Sequence, residues 1–298
     1  MYSHRMRSVF NICDSTLLNR RLLLPNKINI VDFIYKTYRP DSIELGQVFT
    51  SKLYDYNKSQ VFTSKLYDYN KTHNNNMNIS PNKVPILDLF NYCKQHILNT
   101  ELYVLSLSIE DVYMAKKAGV THFSFMISVS DQHQYIMTTN TIAESKLNLS
   151  IMYKMLNPND KVKLYINCID TCPISGKLNL TIILYEILSY IYIYSEYNFD
   201  EICLVDTCGT LRMESLDYIY DSLRSIMPIN RISIQLCKQS KHNDTDIIIQ
   251  NNLGIDKFNV SLSNGITEGI LTEGTLTEGI LTEPIPIHYS DLNKHIYI

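Results

Sequence analysis

The sequence predicts one α/β domain over residues 1–298, a (β/α)8 TIM barrel with repeat insertions at 47–76 and 267–284 and an incomplete or altered eighth βα unit. Three observations predict it. Eight short β-rich runs recur along the chain, and each but the last is followed by a segment of helical pattern, the alternation that builds a parallel sheet covered by helices. Several runs, such as Ile202-Cys203-Leu204-Val205, are apolar without alternation, as expected of strands covered on both faces. The Gly-rich first turn that marks the rival doubly wound open sheet is absent.

The β-rich runs are 10–13, 42–46, 101–107, 122–128, 161–169, 201–206, 231–237 and 257–263. Helical patterns fall near 27–38, 82–98, 109–118, 138–156, 179–196, 213–226 and 243–252. In the fifth of these helical segments, the Tyr/Ile run 185–194 reads as the core face of a helix. The eighth helix has only 289–298 to draw on, because pentads of the form TEGIL-TEGTL-TEGIL occupy its place. The segment QVFTSKLYDYNKS at 47–59 recurs at 60–72 with a single change, and a polar His73-Asn74-Asn75-Asn76 tract follows. Two copies of a 13-residue unit cannot stack into a solenoid core, so both repeats read as duplications accepted in surface loops, where added length costs little entropy.

Composition excludes several classes of function. Lys+Arg is 27 and Asp+Glu is 30, a formal net charge of −3, so there is no basic footprint for nucleic acid or an anionic membrane. No apolar run reaches the roughly 18 residues that span a bilayer, and no signal-peptide core follows Met1. Seven cysteines, an odd number without close pairing, read as reduced thiols, and the expected location is cytoplasmic. The Cys168/Cys172 spacing lacks the second pair that a zinc knuckle needs. Cys203, Cys208 and Cys237 read as small buried hydrophobes, and Gln132-His133-Gln134 and His242 as solvated loop residues.

Chemistry in such a barrel sits at the C-terminal ends of the strands. The residues there are Asp14, Glu44, Ser128 and Asp131, Asn167 and Cys168, Asp206 and Thr207, Gln235 and Cys237, then Ser261 and Ser263. In Asp206-Thr207-Cys208-Gly209 a carboxylate ends a buried strand and enters a turn, where it can either cap the next helix or face a substrate.

Five segments, in order, resemble the hydroxymethylglutaryl-CoA lyase family. In chain order they are the first strand with Asp14, Ile43-Glu44-Leu45-Gly46, Ala118-Gly119-Val120 with the following strand and Ser130-Asp131, Lys163 to Lys177 with its Cys168, Cys172-Pro173 and Gly176-Lys177, and Glu201 to Gly209 with its Asp206-Thr207. The resemblance implies a carbon–carbon lyase acting on a 3-hydroxy acyl-CoA. It also implies a divalent metal, Mg²⁺ or Mn²⁺, that polarises the substrate oxygens and stabilises an enolate. The family's ligands are an Asp after strand one, a His-x-His pair on strand seven and an Asn near strand eight. In one register Asp14 takes the first-strand ligand position and Cys13 that of the arginine, and in the other Leu18 and Asn19 stand there; on strand seven the counterparts are Gln235 and Cys237, and the Asn has no clear match. A neutral amide and a soft thiolate suit a hard cation poorly. The family's arginine on strand one and its loop cysteine after strand eight are also missing, whereas Glu44 and Asp206 are retained in catalytic positions. The expectation is therefore a lyase-like barrel, with an acyl-CoA as partner, that is catalytically impaired or inactive. Two alternatives stand beside it. One is an active lyase or aldolase in which Asp14, Asp206, Gln235 and Cys237 hold a metal such as Zn²⁺. The other is a non-catalytic interaction protein that uses the Tyr-rich 47–72 segment.

Overall fold

The computed structural model describes residues 9–13, 17, 24–48, 85–193, 199–238, 257–260 and 285–286. Eight strands form the ring: β1 (Val9–Cys13), β2 (Ser42–Gln47), β3 (Glu101–Leu105), β4 (His122–Ser128), β5 (Lys161–Asn167), β6 (Glu201–Val205), β7 (Ile232–Gln235) and β8 (Lys257–Val260). The sheet closes into a barrel in the order β1-β8-β7-β6-β5-β4-β3-β2, with every neighbouring pair parallel. Closure is made by β1 on β8, with Val9 opposite Lys257 and Ile12 opposite Val260. The predicted (β/α)8 architecture is thus the observed one. The predicted helix 243–252, the segment 289–298, His242, Asp14, Ser261, Ser263, the insertion at 267–284 and all of the insertion at 47–76 beyond Val48 lie outside the described residues.

Outside the ring run α1 (Leu24–Tyr38), α2 (Pro85–His96), α3 (Ile109–Lys117), α4 (Asp131–Thr138), α5 (Ile142–Lys154), α6 (Leu180–Ile193) and α7 (Met213–Arg224). Strand residues that point outward meet these helices in one apolar core. On β5 these are Val162, Leu164 and Ile166; on β4, Phe123, Phe125 and Ile127. Phe125, Tyr153 and Phe199 stack edge to face at centroid distances of 5.4 and 5.8 Å, adding directional packing to the area they bury. None of the helices among the described residues is long and apolar enough to cross a membrane.

The helix expected at 138–156 is α5, and a further helix, α4, stands before it over residues that the sequence reads as loop. Ser130 caps α4, its hydroxyl accepting from the His133 N–H, and Thr139 leaves that helix in the left-handed region at φ 60°. Thr141 then starts α5 with a reciprocal box: its side chain accepts from the Glu144 N–H while Glu144 accepts from the Thr141 N–H. The same correction removes Gln132-His133-Gln134 from the solvated loops. Gln134 is buried and its amide is fully used, accepting from the Ser128 N–H and donating to Thr138 and Ser145. Helix α6 is core on one side only: Ile183, Ile187, Tyr190 and Ile191 are buried, while Ile182, Tyr185 and Tyr192 face outward.

Two small antiparallel ladders decorate the ring. Thr171–Cys172 pairs with Gly176–Lys177 after β5, and Cys237–Lys238 pairs with Ile285–Pro286 after β7. On β2 the register shifts between Glu44 and Gln47, and Gly46 stands there at φ 126°, a conformation that L side chains rarely adopt.

Candidate functional site

The inward faces of the strands are polar, because residues two apart on a strand share a face. Glu44 of β2 is almost fully buried in this interior. Ser124 of β4 and Tyr165 of β5 both donate to its Oε2, the tyrosine at 3.4 Å, while Oε1 is buried with no hydrogen-bond partner. The Tyr165 hydroxyl also lies 3.3 Å from Asn259 Oδ1 on β8. Beside it Lys163 Nζ lies 3.5 Å from Asn259 Oδ1, 3.4 Å from Glu201 Oε1 and 4.6 Å from the centre of the Tyr103 ring. Asn259 completes the circuit with its amide, donating to Ser233 Oγ at 3.0 Å and to Cys203 Sγ at 3.2 Å. Six strands therefore contribute to one hydrogen-bonded interior.

The two buried glutamates titrate in opposite directions. Burial pushes the Glu44 carboxyl up to about 7, although Ser124, Lys163 and Tyr165 all favour its ionised form. Burial would also raise Glu201, but Lys163, Ser233 and Lys257 outweigh it and hold that carboxyl below its ordinary value. The interior thus carries a Glu201–Lys163 salt bridge and, beside it, a carboxyl that burial raises to about 7.

Asp206 stands at the end of β6, buried, and its side chain turns to its own loop. Oδ1 accepts from the Thr210 N–H at 3.2 Å and Oδ2 from the Leu211 N–H at 3.3 Å. Burial raises this carboxyl to about 7, with the charge of Asp170 adding and the loop N–H groups opposing. Asp170, also buried, accepts from Lys177, Thr171 and Thr210, so the loops after β5 and β6 are tied together. Gln235 ends β7 opposite Val205, half-buried, and its carbonyl accepts from the Asp206 N–H at 2.9 Å. Cys237 follows in the ladder opposite Pro286 and is buried. The structure therefore brings Gln235 beside Asp206 at the mouth, whereas Glu44 bonds to β4 and β5 deeper in the barrel.

A divalent ion of the Mg²⁺ or Mn²⁺ kind asks for hard oxygen donors. Gln235 offers one neutral amide oxygen, Cys237 a soft sulfur, and the Asp206 oxygens are already taken by backbone donors. Among the described residues no three of His, Cys, Asp and Glu are placed to hold a metal. These residues do not fit the hard cation that the resemblance implies.

No family model and no curated protein matches the chain in sequence. Solved structures do match in fold. The HMG-CoA lyase from Brucella melitensis superposes with a TM-score of 0.67 at 16% identity, covering 97% of this chain and 89% of its own. The HMG-CoA lyase from Acinetobacter baumannii, in complex with coenzyme A and 3-methylmalate, gives 0.66 at 15%, covering 88% and 77%. The carboxyl transferase domain of Rhizobium etli pyruvate carboxylase gives 0.52 at 12%, covering 87% of this chain and 41% of that one. At such identities the likeness establishes the barrel and no more.

Sequence reasoning missed the partners of Glu44. Ser124, Lys163, Tyr165 and Asn259 are not strand-end residues, but an available signal marks them. Lys161, Lys163, Tyr165 and Asn167 alternate with Val162, Leu164 and Ile166, so one face of a supposedly two-sided apolar strand is polar. The cavity bounded by Ser106, Phe125, Gln134, Ser145 and Met152 lies between β3, β4 and helices α4 and α5, apart from these groups.

Proposed function

We propose that this chain is a hydroxymethylglutaryl-CoA lyase-like barrel that has kept the interior of a carbon–carbon lyase and lost the metal-dependent cleavage, so that it binds an acyl-CoA without turning it over. One contrast carries this reading. Glu44 keeps a buried environment in which Ser124 and Tyr165 donate to one of its oxygens with Lys163 nearby, while the end of β7 offers Gln235 and Cys237 for a hard cation. Cleavage next to a carbonyl requires the developing enolate charge to be held, and a preorganised charge there is worth several kcal/mol of barrier, about 10²–10³ in rate for a single donor. With the strand-one arginine also absent from the sequence, no step through a metal is derived for these residues.

What remains can do two things. The strand-end loops, tied through Asp170, Thr171 and Thr210, form a mouth to which a thioester can be brought. Glu44 can hold or release one proton at neutral pH, oriented by Ser124 and Tyr165. An acyl-CoA as ligand is supported by the likeness to the lyase crystallised with coenzyme A.

The test is a pair of measurements on the purified full chain. Titration calorimetry with 3-hydroxy-3-methylglutaryl-CoA is expected to show binding. Release of its cleavage products in the presence of Mg²⁺, Mn²⁺ or Zn²⁺ is expected to stay at the protein-free rate. Turnover with any of these metals overturns the proposed loss, and absence of any binding overturns the proposed ligand.

A further inference from the structure

A helix on the outside of a barrel ordinarily turns a polar, charged side to water. Helices α2 and α7 do so: α2 exposes Asn91, Lys94 and Gln95, and α7 exposes Glu214, Asp221 and Arg224. Helix α6 does not. Its sequence, LTIILYEILSYIYI, holds one charged residue among 14. Ile183, Ile187, Tyr190 and Ile191 fill its core side, yet Ile182, Tyr185 and Tyr192 stand outward, 58%, 67% and 69% exposed. Their spacing of three and seven residues puts them in one stripe along the helix.

The one charge on α6, Glu186, is turned toward α5. It pairs with Lys146 at 2.7 Å, and the same ammonium stands 5.0 Å from the centre of the Tyr190 ring. Both charged side chains are mostly buried, and the pair fixes α5 beside α6. Leu147, the residue after Lys146, is 64% exposed and carries the apolar surface onto α5. Exposed charge stands at the ends of α5, with Glu144 in its first turn and Lys154 in its last.

We propose that the α5–α6 face is the contact of a twofold dimer, and that its occupant is a second copy of this chain turned end for end. Charge selects a copy. The middle of the face holds only the Lys146–Glu186 pair, which neutralises itself, so the face meets its own image without repulsion. The rim is negative at one end and positive at the other, so an antiparallel copy sets each Glu144 toward the opposite Lys154. Area agrees. At about 200 Å² for a large side chain, the exposed fractions of Leu147, Ile182, Tyr185 and Tyr192 leave on the order of 500 Å² open to water. An ordinary homodimer buries about 800 Å² on each partner, roughly two-thirds of it apolar, which is the same quantity. The contact lies on the outer helices and leaves the strand-end loops open.

Sedimentation velocity on the full chain tests it. A monomer–dimer equilibrium with a dissociation constant on the order of micromolar is expected. Tyr185→Glu and Leu147→Glu each put a charge into the contact and are expected to weaken the dimer by about tenfold or more, with circular dichroism unchanged. Tyr218→Glu, the same change on the outer side of α7, is expected to leave the equilibrium where it was. Lys154→Glu is expected to weaken the dimer by about threefold, more at low salt than at high. A monomer at every concentration, assembly beyond two copies, or a dimer indifferent to Tyr185→Glu and Leu147→Glu overturns the proposal. A dimer that Lys154→Glu leaves unchanged or tightens overturns the end-for-end arrangement. If a glutamate variant does not fold, Ile182→Ser, with an expected weakening of about threefold or more, decides in its place.

Discussion

Glu44 and Glu201 share a buried interior, and among the described residues only the second has a cation within ion-pairing distance. That difference has a measurable consequence. A carboxyl whose folded value lies near 7, against 4.5 for the free group, binds its proton more tightly in the folded state. The stability this lends is fully present below about pH 4.5 and is lost as pH rises through about 7. Glu44→Gln removes the titration while keeping an acceptor for Ser124. The variant is therefore expected to be more stable than the parent by about 1–3 kcal/mol at pH 8, with the gap closing at pH 4. Urea unfolding at pH 4, 6 and 8 measures it, and a pH-independent difference between the two proteins contradicts the assignment. Glu44 stood out in the sequence as an acidic residue late in a β-rich run, and the structure buries it in the barrel interior. Lys163, Tyr165 and Asn259 did not, because their importance comes from strands 94 and 96 residues apart in the chain meeting across the barrel. No local pattern encodes that meeting; the alternation in β5 signals only that one face is polar.

At the scale of elements, existence and type were legible and several boundaries were not. The apolar runs that became β2 through β6 announced themselves, because their outward residues must pack on helices. Helix α4 was read as loop, and two local devices separate it from α5, the left-handed Thr139 and the Thr141–Glu144 box. Asp14 and the helix after β7 lie beyond what the structure describes. The bulge in β2 depends on one residue in the same way. A Cβ on Gly46 would stand 2.8 Å from the Leu17 carbonyl oxygen and 3.1 Å from Ile86 Cδ1, on a backbone already at φ 126°. Neither a backbone carbonyl nor a strand can yield cheaply. Gly46→Ala is expected to cost about 2–3 kcal/mol, read as a lower urea midpoint at unchanged slope. A neutral substitution means that the strand and the Leu17 turn can separate.

For the whole molecule, the question is which parts of the chain the barrel needs. All eight ring strands lie outside the second 13-residue copy, which falls in the sequence between Val48 at the end of β2 and Pro85 at the start of α2. Deleting residues 60–72 is expected to leave the cooperative transition in place and to change stability by about 0.4 kcal/mol, the loop-closure term for a connection shortened by that amount. Loss of the transition on deletion would give the repeat a role in folding, and loss of a bound partner from a pull-down would favour an interaction surface. Closure itself has a further consequence. Val9 must find Lys257 before either edge of the sheet is satisfied. Until that last pairing forms, the nascent barrel presents two parallel strand edges with open amide and carbonyl rows, a template for another copy of the same chain. The yield of soluble protein should therefore fall with concentration during refolding, and the species that escapes capture is the one whose first and last strands have already joined.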